Sequence, residues 1–205
     1  MKSSFSVVGH SERSCMTIRR LSSLSLFIFL LSACAWQRIP AMPEYARTTP
    51  IPIKVGVILA DDPVTSAYGP SIVKEWQEIR LFDSLIYPYR DGDAVAAVMR
   101  LNITGGWKGS GAGAGFVTGL TLGIAGTAVG PSMTGTHDAA AVLNKSAEEI
   151  GRYSIQSITK VEWGMAANTN EVAVKADTIQ KKRIAYELAK KIDADRQILL
   201  SKLGK

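Results

Sequence analysis

The pattern of apolar and polar positions predicts strands in three parts of this chain. Residues 53–60 are rich in β-branched and apolar side chains and predict a buried strand, which residues 61–63 (Asp-Asp-Pro) would end. Residues 94–103 predict a second strand. Residues 138–163 predict a hairpin, because apolar side chains recur two apart on both sides of a polar break at 145–149.

Two other stretches carry apolar residues at three- and four-residue spacing, which is typical of one face of a helix. The first is residues 69–86, and the tyrosine-proline-tyrosine sequence at 87–89 would stop it. The second is residues 168–203, where Asn168 and Glu171 have the spacing of a capping box. We expect this second stretch to form one long amphipathic C-terminal helix.

The order of these elements is strand, helix, strand, glycine-rich insert, two strands and helix. Such an order predicts an α/β (α+β) fold, with a small mixed or antiparallel sheet and two main helices in a single domain over residues 53–205. The glycine-rich insert is expected to be a further helical segment, which could enter a membrane.

The insert, residues 105–136, has an unusual composition. Ten glycines occur between 105 and 130, and residues 109–136 carry no charge. The spacing of five of these glycines resembles a glycine zipper, which would allow close helix contact in a lipid medium. They are Gly115, Gly119, Gly123, Gly126 and Gly130. A membrane-inserted helix and an uncharged loop both remain open, whereas Ala114 replaces the third glycine of a dinucleotide-binding loop.

The first 33 residues have the order of a secretory signal, and Met16 is an alternative start. Two arginines precede an apolar run at residues 24–31, which is shorter than the roughly 20 residues that span a bilayer. The sequence Leu31-Ser32-Ala33-Cys34 that ends it resembles the bacterial lipobox.

This resemblance implies cleavage before Cys34 and acylation of its thiol, with palmitate among the expected chains. Ala35, rather than aspartate, follows the cysteine, and the resemblance then implies the outer membrane, with the domain facing the periplasm. Residues 34–52 contain four prolines without periodicity and predict an extended tether between lipid and domain.

Composition restricts the remaining possibilities. Without the leader, 20 lysines and arginines stand against 17 acidic residues, a balance too mild to favour nucleic acid as a partner. Cys34 would be the only cysteine, which disfavours a disulfide or a thiolate metal site. His137 would be the only histidine and is interpreted as a loop residue. No cofactor or metal is expected.

The favoured hypothesis is a non-enzymatic, lipid-anchored envelope protein that acts as a structural or accessory subunit. Its partner would be another copy of the chain or another envelope protein. One alternative is a periplasmic hydrolase or ligand-binding lipoprotein, which would need a pocket that gathers several carboxylates with His137. The candidate carboxylates are Asp61, Asp62, Asp91 and Asp93. A second alternative is a membrane-perturbing protein driven by the glycine zipper.

Overall fold

The computed structural model describes residues 37–45, 49–110, 132–164 and 167–204. Two groups of predicted site residues lie outside these ranges. The first group is the signal segment with its lipobox: Leu31, Ser32, Ala33 and Cys34. The second group is the zipper-like set: Gly115, Gly119, Gly123, Gly126 and Gly130.

Six strands of the described ranges form one mixed sheet in the order β1-β6-β5-β4-β2-β3. β2 is parallel to both β3 and β4, and the other neighbours are antiparallel. The strands are β1 (Gln37–Arg38), β2 (Ile51–Leu59), β3 (Phe82–Ile86), β4 (Ala97–Ser110), β5 (Ser132–Lys145) and β6 (Glu148–Trp163). The predicted mixed α+β class is confirmed, as is the hairpin of β5 and β6.

Three helices lie against one face of this sheet: α1 (Pro63–Glu78), α2 (Thr169–Ala194) and α3 (Arg196–Leu203). α1 packs mainly on β4, and α2 packs mainly on β6. Odd-numbered side chains of β5 are therefore buried under the helices, while the even-numbered ones lie on the opposite, open face. Among the described helices, none is both long and apolar enough to cross a membrane.

The predicted helix 69–86 is wrong at both ends. The Asp62 side chain accepts hydrogen bonds from the N–H groups of Val64 and Thr65 at 2.8 and 3.1 Å, so the helix begins at Pro63. It ends at Glu78, and Arg80 then adopts a positive φ of 51°. The residues that follow form β3, because pairing with β2 at the edge of the sheet satisfies their backbone hydrogen bonds.

The long C-terminal helix is also divided. Asn168 caps its start as predicted, because its side chain accepts a hydrogen bond from the Glu171 N–H at 3.3 Å. However, α2 ends at Ala194, and α3 begins at Arg196. The break lets the Arg196 guanidinium donate to the carbonyl oxygens of residues 49 and 50 at 2.7 and 2.6 Å.

The glycine-rich insert was predicted to cover residues 105–136, but both ends of this range belong to paired strands. β4 continues to Ser110 and β5 begins at Ser132, and these two residues are paired. Glycine is required at position 105, where φ is +115° and an added Cβ would collide with the Thr136 carbonyl. The sequence pattern failed here because glycines weaken the strand signal even where the strand continues.

The predicted tether contacts the domain at several of its described residues. Gln37 and Arg38 pair with the end of β6, and the Tyr45 ring lies 5.8 Å from the Tyr186 ring. Residues 49 and 50 are held by Arg196, and residues 51 and 52 already belong to β2. These contacts hold the described part of the segment, residues 37–45 and 49–50, against the domain, and this part is called the strap below.

The outer edge of β6 is covered by cations. β1 pairs only with residues 162 and 163 of β6, so the remaining edge carbonyls need other partners. Three side chains of α2 and α3 supply hydrogen bonds to every fourth carbonyl: Lys202 to Ile150, Lys191 to Ser154 and Arg183 to Ile158. Charged side chains at an edge strand discourage pairing with another strand.

Candidate functional site

His137 lies inside the protein rather than in a loop. It belongs to β5, where odd-numbered positions face the helices, and its side chain is 1% exposed. The interpretation as a loop residue is therefore wrong. The neighbouring Asp138 points to the open face, because successive side chains of a strand alternate between the two faces.

A glutamine of α2 is the direct partner of this histidine. The Gln180 amide nitrogen lies 3.1 Å from His137 Nδ1 and also donates to the Ser157 carbonyl at 3.1 Å. With the amide as donor, Nδ1 accepts, and the neutral ring carries its proton on Nε2. Gln180 lies four residues before Ile184 on the same helical stripe, and this polar interruption is the sequence signal that would have located the contact.

Two aromatic side chains, one from α1 and one from β4, lie against the His137 ring. The Tyr68 ring lies 4.7 Å from the His137 ring, and the Trp107 ring lies 6.2 Å away at an angle of 70°. Trp107 donates its indole N–H to the Tyr68 hydroxyl at 2.9 Å. Lys181 lies 5.0 Å from the centre of the Tyr68 ring and forms an ion pair with Asp177 at 2.7 Å.

Several polar atoms of this layer are not satisfied. Ser157, Thr159 and Gln180 are at most 1% exposed. Yet Ser157 Oγ, Thr159 Oγ1 and Gln180 Oε1 have no hydrogen-bond partner within the described parts of the chain. Each such atom lowers stability, since burial removes its hydrogen bonds to water. We call His137, Ser157, Thr159 and Gln180 the polar layer.

Electrostatics keep the layer neutral near pH 7. Burial lowers the pKa of His137, and the carboxylates of Asp177 and Asp138 oppose this effect without overcoming it. Burial, reinforced by Asp177, raises the pKa of the Tyr68 hydroxyl well above its usual range. The histidine is therefore a neutral, internal hydrogen-bond acceptor.

The four candidate aspartates have separate local surroundings. Asp62 caps α1, and Asp61 precedes it in the same loop. Asp93 accepts a hydrogen bond from the Arg90 N–H at 2.9 Å, within the turn that includes Asp91. The contacts of His137 are to Gln180 and the two aromatic rings instead. Across the described ranges, no group of three histidine, cysteine or acidic side chains could hold a metal ion.

A shallow groove of about 400 Å³ lies along strands β4 to β6. It offers amide, hydroxyl and carboxylate groups, and Gln156 donates to the Asp138 carboxylate at 3.1 Å within it. Its lining comprises Asn102, Thr104, Asp138, Ala139, Ala140, Ser154, Ile155, Gln156 and Lys191. The polar residues at alternate positions of the hairpin are the sequence signal for this surface.

No protein-family model matches the chain, and no curated protein is significantly similar to it. Several solved structures of bacterial lipoproteins have a similar fold. A minor lipoprotein from Acinetobacter baumannii is 12% identical, with 70% of this chain and 94% of that chain covered and a TM-score of 0.44. Rare lipoprotein B from Shewanella oneidensis is 14% identical (74% and 99% covered, TM-score 0.38). Lipoprotein B from Nitrosomonas europaea is 9% identical (78% and 97% covered, TM-score 0.42). These identities and TM-scores are too low to assign a family or a function.

Proposed function

We propose that this chain is a lipid-anchored protein of the bacterial cell envelope, exported, cleaved before Cys34 and acylated on that cysteine. The observation that carries the proposal is the lipobox-like sequence at residues 31–34, directly after a short apolar run. Ala35 then favours the outer membrane, with the domain in the periplasm. Two or more acyl chains on one cysteine would make this anchoring stable.

The strap supports the same proposal. β1 starts at Gln37, three residues after Cys34, and is already paired with β6. A lipid on Cys34 would therefore hold a folded domain close to the bilayer, without a long flexible spacer. Such placement suits a protein that works beside other membrane components.

The role we propose is structural or accessory rather than catalytic. The single histidine downstream of Cys34 is enclosed between α2 and the sheet, where it accepts a hydrogen bond from Gln180. Asp62 and Asp93 are engaged in a helix cap and a turn. These arrangements favour a partner-binding subunit, with another copy of the chain or another envelope protein as its partner.

Metabolic labelling with a fatty acid tests the proposal in a bacterial host. Cys34→Ser should abolish acyl labelling, and the protein should persist as the uncleaved precursor, because the modified thiol is absent. Cys15→Ser is the matched control: it removes the other cysteine of the chain, which lies in the leader, and should leave labelling and cleavage unchanged.

The opposite result would reject the lipid anchor. If the Cys34→Ser protein is cleaved normally and stays with the membrane fraction, Cys34 is not the attachment point. Separation of inner and outer membranes would then address the finer part of the proposal, which expects the wild-type protein in the outer-membrane fraction.

A further inference from the structure

The start of the strap and the ends of three strands lie together at one end of the sheet. Gln37 of β1 is paired with Trp163, the last residue of β6. At the same end, Ser132 of β5 is paired with Glu162 of β6 and with Ser110 of β4. The first described residue of the strap and the ends of the three longest strands therefore lie together. We call this the anchor end of the sheet.

The reach of the chain limits how far this end can be from Cys34. Gln37 is the third residue after Cys34, and an extended chain covers at most about 3.6 Å per residue, or about 11 Å over these three steps. Gln37 itself is fixed by its pairing with β6. A lipid on Cys34 would thus bring Gln37, and with it the anchor end, to within about 11 Å of the bilayer surface.

Charge at the anchor end fits an anionic lipid surface. Arg38 and Lys160 flank the single carboxylate of Glu162 at 3.4 and 2.8 Å, which leaves one positive charge in excess. Lys108, near the end of β4, is exposed and adds another. A lysine or arginine close to an anionic membrane contributes about 1 kcal/mol to binding.

The sequence adds an independent indication at the same place. The described sheet is interrupted between Ser110 and Ser132, and the intervening residues 111–131 carry no charged side chain. The absence of charge in this part of the sequence is compatible with a neighbouring bilayer, where a charged side chain would have to lose its water.

We propose that the anchor end is the membrane-contacting surface of the domain and that its partner is the bilayer that holds the Cys34 lipid. The sheet then stands away from the membrane, with the β5–β6 turn at the far end. β6 has 16 residues, so this turn would lie about 50 Å from the anchor end. This orientation rests on the proposed acylation of Cys34.

Two cysteine variants test the orientation in the full-length, lipidated protein. Acylation consumes the Cys34 thiol, so an introduced cysteine is the only free thiol downstream of the cleavage site. Lys108→Cys places it at the anchor end, and Lys145→Cys places it beside the far turn. Both positions are exposed lysines near the ends of paired strands, which makes them a matched pair.

Each variant is labelled with a fluorophore and reconstituted into vesicles of phosphatidylethanolamine and phosphatidylglycerol that contain nitroxide-headgroup lipid. Quenching at position 108 should exceed quenching at position 145 severalfold. Equal quenching would show that the sheet lies flat on the membrane, and stronger quenching at position 145 would invert it; either result overturns the orientation.

Vesicle flotation and acyl labelling of the same samples separate this proposal from the one on which it rests. Protein that is acylated and floats, yet shows no difference between the two labels, rejects only the orientation. Protein that carries no acyl group rejects the proposed anchor and the orientation together.

Discussion

The interface between helices and sheet has two parts that are built differently. Under α1 and the first half of the sheet, the core is filled by apolar side chains, and the buried Trp76 indole N–H donates to the Ala185 carbonyl at 2.8 Å. Toward the anchor end lies the polar layer of His137, Ser157, Thr159 and Gln180. Beyond it is a small apolar cluster: Met133, Val161, Trp163, Val172, Ala173 and Ala176.

This difference indicates where the folding free energy is concentrated. The main cluster gains free energy from the burial of apolar area, and the Trp76 indole within it has a partner. The residues of the polar layer are as deeply buried as those of the main cluster, but three of their side-chain oxygens have no partner in the described structure. Local stability should therefore fall from the main cluster toward the anchor end, which is the end proposed to meet the membrane.

The largest effect is expected from a cavity in the main cluster. Leu101 is fully buried in β4, so Leu101→Ala should lower the free energy of unfolding by about 2 to 5 kcal/mol. Urea unfolding of a leaderless Cys34→Ser protein measures this loss. The control is Val174→Ala on α2, where a side chain that is 55% exposed should change stability by less than about 0.5 kcal/mol. Similar losses in both variants would contradict the assignment of the core.

Much of the fold follows from sequence patterns, and its errors have physical causes. The alternation in β6 and the cap at Asn168 are local signals, and the sequence predicts both. The end of α1 was not, because residues 82–86 satisfy helical spacing equally well, and only their pairing with β2 decides that they form a strand. Tertiary contacts overrode a pattern that was locally ambiguous.

The candidate site was harder to predict than the fold. The sequence His137-Asp138 suggests a loop when it is considered alone. In the structure both residues belong to β5: His137 is buried on the face that the helices cover, and Asp138 is exposed on the opposite face. Gln180 was hidden by the strongly apolar stripe around it. The pairing of β1 with β6 could not be foreseen, since a proline-rich segment has no periodicity that points to a partner 124 to 126 positions further along the chain.

A matched pair of threonines tests the difference between satisfied and unsatisfied polar burial. Thr65 and Thr159 are both fully buried. Thr65 Oγ1 donates to the Ile103 carbonyl at 3.0 Å and accepts from the Ile103 N–H at 2.8 Å, whereas Thr159 Oγ1 has no partner among the described residues. Thr65→Val should cost about 1 to 3 kcal/mol of unfolding free energy, because it leaves two buried backbone groups unpaired.

Thr159→Val should be neutral or should stabilise the fold by up to about 1 kcal/mol, because valine has the same shape and removes an unpaired hydroxyl. Both variants are measured by urea unfolding in the leaderless background. Equal destabilisation by the two substitutions would show that Thr159 Oγ1 is hydrogen-bonded in solution, and the contrast between the two parts of the interface would then be weaker than proposed.

The smallest expected effect is a loss of unfolding free energy at acid pH, which depends on His137. Burial depresses the pKa of His137 below its ordinary value of 6.5, so below about pH 6.5 the unfolded chain binds a proton that the folded chain resists. Stability contributed by the neutral ring is complete above pH 6.5 and is lost as pH falls toward the depressed value. The charged side chains nearest the ring are Asp177, Asp138 and Lys181.

His137→Phe isolates this effect. The phenyl ring retains the contact with Tyr68 but cannot accept from Gln180, so the variant should be less stable than wild type at pH 7. Its unfolding free energy should then decline less steeply between pH 7 and pH 5, because no histidine remains downstream of the cleavage site and the shared carboxylates titrate in both proteins. Parallel curves for the two proteins would mean that His137 is protonated as readily in the folded state as in the unfolded one, which a ring enclosed by α2, Tyr68 and Trp107 should not permit.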